Sequence, residues 1–223
     1  MQNRKRKLKI IDENSGKNGI LINLKENDVI KDGYEIELSN DTIDFSPIKK
    51  KIKLQSTVLT DAENFVAYSN FAENNSFKIT IEKEKLKSGT LNYTEIYGID
   101  STKMPLFDQL FYLPITVILP RILTNEDGYC IKEENLELKP NFPHRFFILS
   151  PKECFQCVVK VFVKTLASLY LQYSTENCTV ESGTGKWLEF NEEINFQTYD
   201  IQINGNKIHE IAIFPDCYKP CKM

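Results

Sequence analysis

The chain has 223 residues, of which 41% are hydrophobic and 26% are charged, and its formal net charge is −3. This is the composition of an ordinary globular protein, so a collagen-like chain, a low-complexity array and a wholly disordered tail are excluded. The length suits one large domain or two small ones, and the weakly acidic charge gives no general affinity for nucleic acid or acidic membranes. Lysine far outnumbers arginine, and asparagine and isoleucine are abundant. That bias is typical of an AT-rich genome, such as that of some viruses and parasites.

The N-terminal segment opens with basic residues, but no apolar run of the length found in a secretory signal peptide follows it. The most apolar long stretch, 154–173, carries Lys160 and Lys164 near its middle, which disfavours a membrane span. These observations predict a protein without a membrane span that resides inside the cell, in the nucleus or the cytoplasm.

Short segments that alternate or cluster apolar residues predict β-strands in the N-terminal half. Turn-forming residues separate them, as in Lys31-Asp32-Gly33. The predicted strands are 20–24, 34–38, 42–45, 52–54, 77–81 and 114–119. Between them, Thr60 and Glu63 have the spacing of a capping box, which predicts a short helix over about 60–72.

Residues 150–173 predict a long helix. Ser150, Pro151 and Glu153 are suited to the N-cap, the first helical position and the capping box. Beyond them, polar residues recur at every fourth position, at Gln156, Lys160, Lys164, Ser168 and Gln172. A stripe at this spacing indicates a helix over 151–173 with a narrow polar face, buried on most sides, although its β-branched residues lower the helix propensity.

Strand-like segments follow this stretch, and Asn204-Gly205 between two of them is typical of a β-hairpin turn. The sequence therefore predicts an α+β fold. Its parts are largely antiparallel β-sheet, one long buried helix, one short helix and a C-terminal β-meander or hairpin. A single domain over 1–223 is favoured, with a weak boundary near 99–105 as the alternative.

Two cysteine pairs, Cys154–Cys157 and Cys217–Cys221, have spacings found in zinc sites, where thiolates from two loops share one ion. Zinc is a minority interpretation here, because a reduced cysteine is more often a small buried apolar residue. A thiol-dependent enzyme is a further alternative, although bulky residues separate the first pair.

Hydrolytic chemistry has little support in the sequence. His144 and His209 are the two histidines, and no catalytic motif surrounds either of them. We expect His209 to be an exposed strand residue and His144 to lie in a turn, so no catalytic residue and no cofactor is assigned.

Two basic runs resemble nuclear-import or nucleic-acid-binding patches. Their residues are Arg4, Lys5, Arg6, Lys7, Lys49, Lys50, Lys51 and Lys53. Ser46, followed by Pro47, is a candidate phosphorylation site whose phosphate would offset the second run. The alternative is that these lysines lie at exposed sheet edges and discourage edge-to-edge pairing.

The sequence predicts a non-enzymatic structural or protein-interaction subunit of a larger intracellular assembly, with a protein partner. Apolar residues in proline-rich sequence, at 106–107, 110–113 and Phe142, suggest the partner surface. The first alternative is a nuclear, nucleic-acid-associated factor that uses the basic runs. The second is a zinc-stabilised or thiol-dependent enzyme.

Overall fold

The computed structural model describes a defined set of residues of the chain. They are 8–10, 19–25, 28, 33–38, 52–58, 64–72, 76–100, 109–126, 128–139, 142–164, 167–175, 184–216 and 221–222. The chain divides into two compact units. Unit 1 comprises Met1–Lys87 and Leu91–Leu119, and unit 2 comprises Ser88–Thr90 and Pro120–Met223.

Strands dominate both units. The first nine are β1 Leu8–Ile10, β2 Ile20–Asn23, β3 Tyr34–Leu38, β4 Ile52–Val58, β5 Val66–Tyr68, β6 Phe71–Ala72, β7 Ser76–Ile81, β8 Thr90–Asp100 and β9 Gln109–Leu119. The others are β10 Arg121–Ile122, β11 Glu137–Leu138, β12 His144–Leu149, β13 Gln156–Phe162, β14 Ala167–Thr175, β15 Thr184–Phe190, β16 Phe196–Gln202, β17 Ile208–Pro215 and β18 Cys221–Lys222. One 3-10 turn covers Lys83–Lys85.

Unit 1 contains two sheets. The four-stranded sheet has the order β1-β3-β7-β5 with antiparallel pairs, and the five-stranded sheet has the order β2-β9-β8-β4-β6. Alternate residues of both sheets enter one core, for example Ile36 and Ile79 from the first sheet and Ile96 and Leu113 from the second. The alternation of apolar and polar residues along these strands is the cause, since successive side chains point to opposite faces.

Unit 2 is built around the five-stranded sheet β10-β12-β17-β14-β15. A separate pair of strands, β13 and β16, forms an antiparallel two-stranded sheet that we call the ribbon, and β11 pairs with β18. Leu169 and Ile211 of the large sheet share a core with Val161 and Ile201 of the ribbon. The ribbon and the β14–β15 part of the large sheet therefore have one face in this core and one face outside it. Elsewhere in the large sheet, the residues buried on the face away from this core are Phe147, Leu149, Ile208 and Ala212.

The predicted α+β class is wrong, because the described residues contain no α-helix. The stretch predicted as a long helix over 151–173 forms β13 and β14. Val158, Val159, Val161 and Val163 account for the extended backbone, since β-branched side chains fit a pleated surface better than a helix. No described helix has the length and apolarity to span a membrane.

The short helix predicted over 60–72 is also wrong where the structure describes it. Residues 64–72 contain β5 and β6, and Phe65 and Val66 are buried in the core of unit 1. Val66 is paired with Ile81 of β7. This tertiary pairing determines the conformation in spite of the capping-box pattern, whose first residues lie outside the described set.

The C-terminal meander is not formed either, because β15 and β17 belong to the large sheet and β16 between them belongs to the ribbon. The turn at Asn204-Gly205 connects β16 of the ribbon to β17 of the large sheet, and β17 pairs with β12 and β14 instead of β16. The backbone of this turn lies against the segment after β12, where the Asn206 amide donates to the Ser150 carbonyl at 3.1 Å. Asn-Gly thus marks a turn, but the turn joins two layers.

Candidate functional site

Most residues of the two basic runs lie outside the described set, and so does Ser46. The exception is Lys53, which is exposed on β4 between Phe71 and Ile99 on the neighbouring strands. Their roles in import, nucleic-acid binding and phosphorylation therefore stay predictions.

Cys154 and Cys157 are free thiols that are half-buried against the core of unit 2. The Cys154 thiol donates to the Gln156 carbonyl at 3.3 Å. Burial raises the pKa of the Cys157 thiol, and the nearby Cys154 raises it further, which keeps this sulfur protonated and poorly nucleophilic.

The described residues contain no group of three or more His, Cys, Asp or Glu side chains placed to bind a metal ion. Cys217 lies outside the described set, and for Cys221 only the backbone is described, in β18 opposite Leu138. The convergence of the four cysteines on zinc therefore stays a prediction. In the first pair, Cys157 lies in β13 and Cys154 comes just before this strand.

His209 is completely buried, so the prediction of an exposed strand histidine is wrong. Its Nδ1 lies 3.0 Å from the Tyr173 hydroxyl, and its Nε2 lies 3.0 Å from Ser150 Oγ and 2.9 Å from the Asn204 carbonyl oxygen. Ser150 Oγ also donates to the Asn204 carbonyl at 3.0 Å. His144 begins β12, with its ring against Phe146.

The Ser150–His209 pair resembles a nucleophile and base by distance, but its protons are arranged differently. A carbonyl oxygen can only accept, so Nε2 facing Asn204 carries the hydrogen and Nδ1 accepts from Tyr173. A protonated Nε2 cannot remove the Ser150 proton, and the imidazole is closed to solvent. The arrangement is a hydrogen-bond network that satisfies buried polar groups.

The outer face of the ribbon carries exposed apolar side chains. The outward pairs are Gln156–Gln202, Val158–Asp200, Lys160–Thr198 and Phe162–Phe196. Phe162 is 52% and Phe196 49% exposed, although they lie directly opposite each other. Val158 and Ile194 are exposed to a similar degree. This surface, the ribbon face, is formed by Val158, Phe162, Phe196 and Ile194.

A second apolar surface lies on the face of the large sheet that points away from the shared core, at the β14–β15 end of the sheet. Trp187, Tyr170 and Phe214 occupy one row across β15, β14 and β17, and we call them the aromatic row. The Tyr170 ring centroid lies 5.1 Å from that of Trp187 and 6.2 Å from that of Phe214. Trp187 is 51% exposed.

The outer face of the five-stranded sheet in unit 1 presents tyrosines around one carboxylate. The hydroxyls of Tyr93 and Tyr97 both donate to the carboxylate of Glu95 on the same strand. The pKa of Tyr93 is raised to about 12, first by burial and then by the hydrogen bond to Glu95 and the charge of Glu95. The cluster satisfies its own hydrogen bonds.

The surface that the sequence suggested for a partner is only partly on the outside. Phe111 and Leu113 are buried in the core of unit 1, whereas Tyr112 and Phe142 are exposed. The ribbon face and the aromatic row were missed. The sequence did carry a signal for them. In the stretch predicted as a helix, apolar residues lie midway between the polar residues of the stripe, at Val158, Phe162 and Tyr170.

No protein-family model matches this sequence, and no curated protein matches it either. Among solved structures, tripeptidyl peptidase 2 is similar in fold, with a TM-score of 0.72 and 15% identity over 98% of this chain. This chain spans 20% of the length of that one. The secreted serine protease VesC from Vibrio cholerae matches with a TM-score of 0.32 and 7% identity over 85% of this chain and 45% of that one.

Proposed function

We propose that the chain is a non-enzymatic interaction module of a larger intracellular assembly, and that the ribbon face binds a protein partner. The observation that carries this proposal is the exposure of the Phe162–Phe196 pair, which shares its outward face with the exposed Val158, two outward positions away along β13. Aromatic and aliphatic side chains clustered on one outward face are typical of interfaces, whereas isolated exposed apolar residues are not.

Two further observations support this role. The Ser150–His209 pair is closed to solvent and has the wrong proton arrangement for catalysis. The similarity to tripeptidyl peptidase 2 concerns the fold, and this chain spans a fifth of that one. A fold that occurs as part of a much longer polypeptide fits a module that works beside other domains or subunits. The peptidase activity named for that chain does not transfer at 15% identity.

The intracellular location is supported by the cysteines of the described residues. Cys130, Cys154 and Cys157 are free thiols, and Cys130 is exposed. Exposed thiols stay reduced in the cytosol and nucleus, whereas oxidising compartments favour disulfides.

The test isolates the tagged full chain from its native cells in three forms. These are the wild type, the double variant Phe162→Ser with Phe196→Ser, and the control Tyr112→Ser. Tyr112 is a suitable control because it is an exposed aromatic residue of unit 1. We expect the double variant to lose a partner that the other two forms recover, by a factor of about ten or more. Equal recovery by all three forms would contradict the proposal.

A further inference from the structure

The aromatic row differs from the ribbon face in its geometry. Trp187, Tyr170 and Phe214 lie on three adjacent strands, in register, so their Cα positions follow a line across the sheet. The row is on the outer face, because the neighbouring residues Leu169, Leu171 and Leu188 enter the core. The three side chains form a continuous aromatic strip with one large, half-exposed ring at its end.

Gly185 shapes this strip. It lies opposite Gln172, one outward position along β15 from Trp187. A Cβ atom at Gly185 would lie 1.9 Å from the Tyr170 hydroxyl oxygen. The Tyr170 side chain therefore extends over the bare backbone of Gly185 instead of standing upright. Any side chain at position 185 would displace the Tyr170 ring, so glycine at this position allows the ring to lie over β15.

The distance between the two outer strands of the strip matches the repeat of a polyproline II helix. Neighbouring strands are about 4.8 Å apart, so the outer strands that carry Trp187 and Phe214 are about 9.6 Å apart. A polyproline II helix rises about 3.1 Å per residue with three residues per turn, so equivalent positions recur about every 9.3 Å. Residues i and i+3 of such a helix, laid across the strands, would rest near the two outer rings.

Negative charge lies beside one edge of the strip. Glu189 is two residues after Trp187 on β15, and the backbone amide of Asp216 donates to the Ser168 carbonyl at 2.8 Å. Ser168 and Glu189 are opposite each other, and the Ser168 hydroxyl donates to the Glu189 carboxylate at 2.8 Å. Both acidic side chains are exposed, and neither has a cationic partner among the described residues. A basic ligand residue would find a complementary charge here.

We propose that the aromatic row docks a proline-rich segment of a partner protein in the polyproline II conformation, with a basic residue next to its prolines. Aromatic-lined surfaces bind such segments because the extended helix is already ordered and loses little entropy. The proposal rests on the role as an interaction module, but it uses the opposite side of unit 2 from the ribbon face. A variant that loses binding at the ribbon face therefore still allows binding at the aromatic row to be measured, and the reverse also holds.

Trp187 is the only tryptophan of the chain, so its fluorescence reports directly on the row. The probe is a short synthetic peptide with a Pro-x-x-Pro repeat followed by arginine, titrated into the full chain. Control peptides replace the prolines by alanine or the arginine by glutamate, and a chitin oligosaccharide tests for a sugar ligand. We expect a saturable change with the proline–arginine peptide and about fivefold weaker binding of the glutamate peptide at low salt.

Three variants locate the site. Phe214→Ala should weaken binding about 30-fold through loss of an aromatic contact, and Glu189→Lys about fivefold. Phe162→Ser, on the ribbon face, should bind the peptide as the wild type does. Glu189 is exposed, so its variant keeps the test valid if Phe214→Ala fails to fold. Four outcomes would overturn the proposal. They are no fluorescence change, equal binding of the alanine peptide, unchanged affinity in both Phe214→Ala and Glu189→Lys, and a response to the oligosaccharide alone.

Discussion

At the scale of single residues, burial decides the role of His209. Its imidazole links Tyr173, Ser150 and the Asn204 carbonyl, so it connects β14, β17 and the turn at Asn204-Gly205. The sequence shows only a histidine beside Glu210 in a strand, and alternation alone cannot reveal which face of an unknown sheet is inward. The buried partners come from distant segments, which is why the sequence did not indicate them.

Replacement of His209 by leucine should lower the free energy of unfolding by about 1–3 kcal/mol, because the buried hydrogen bonds of its imidazole to Tyr173, Ser150 and the Asn204 carbonyl are lost. Tyr173→Phe is the matched control, since it removes one hydroxyl and should cost about 1 kcal/mol. Denaturant titration measures both values. A His209→Leu variant as stable as the wild type would show that the network contributes nothing to the fold.

Gly205 should tolerate no side chain, although for a reason other than a hairpin turn. A Cβ atom there would lie 2.0 Å from the backbone carbonyl oxygen of Lys152, which cannot move aside as a flexible side chain could. We expect Gly205→Ala to destabilise the protein by about 1–3 kcal/mol. The control Gly128→Ala meets no atom within 4 Å and has only its positive φ of 60° to resist it. A smaller loss at 205 than at 128, in thermal or denaturant unfolding, would contradict the close approach.

At the scale of elements, the stretch wrongly predicted as a helix shows that a four-residue period of polar residues does not distinguish a helix from a strand. Gln156, Lys160, Ser168 and Gln172 are spaced by multiples of four, and every multiple of four is also a multiple of two. The pattern therefore fits a strand whose remaining outward positions are apolar, as they are at Val158, Phe162 and Tyr170. These three residues, which made the pattern look helical, also contribute to the two proposed binding surfaces. Only the valine-rich run favoured the strand.

Phe162→Ala separates these two interpretations by stability. A helix core position would lose about 3–5 kcal/mol, but the ribbon leaves Phe162 half-exposed, so we expect a loss below about 1 kcal/mol. Its neighbour Val161 is buried, and Val161→Ala should cost about 1.5–3 kcal/mol. Denaturant titration measures both losses. A larger loss for Phe162→Ala than for Val161→Ala would mean that Phe162, and not Val161, faces the core.

The contribution of Tyr93, on β8, to the stability of the protein should depend on pH. Its pKa is raised from 10.0 to about 12 in the folded protein, first by burial and then by Glu95. A raised pKa means that folding favours the neutral phenol, so this contribution to stability is complete below pH 10 and is lost as the pH rises through about 12. We expect the stability difference between wild type and Tyr93→Phe to shrink over this range. Glu95→Gln should lower the Tyr93 pKa in a tyrosinate titration, and no change would contradict the hydrogen bond.

At the scale of the whole molecule, the sequence predicts individual strands better than their partners. β3 coincides with the predicted strand at 34–38, because alternation is a local property. The order of strands is not local. β17 lies between β12 and β14, and β16 pairs with β13 across an intervening strand pair. These neighbours are chosen by which faces bury together, and no spacing in the sequence records that choice.

The sequence leaves a boundary near 99–105 as an alternative to a single domain. β8 ends at Asp100 and β9 begins at Gln109, and the two strands are neighbours in one five-stranded sheet. Ile96 of β8 and Leu113 and Ile115 of β9 belong to one core. A cut between them therefore divides a sheet, and the backbone hydrogen bonds and shared apolar surface should hold the pieces together.

The experiment introduces a specific protease site after Lys103 and cleaves the folded full chain. We expect the fragments 1–103 and 104–223 to elute as one species under native conditions and to separate in denaturant. The fragment 104–223 made alone should aggregate, because β9 would expose Leu113 and Ile115 without its neighbouring strands. Fragments that separate freely after cleavage and stay soluble would establish a domain boundary at this position, since a divided sheet cannot release one edge without exposing its core.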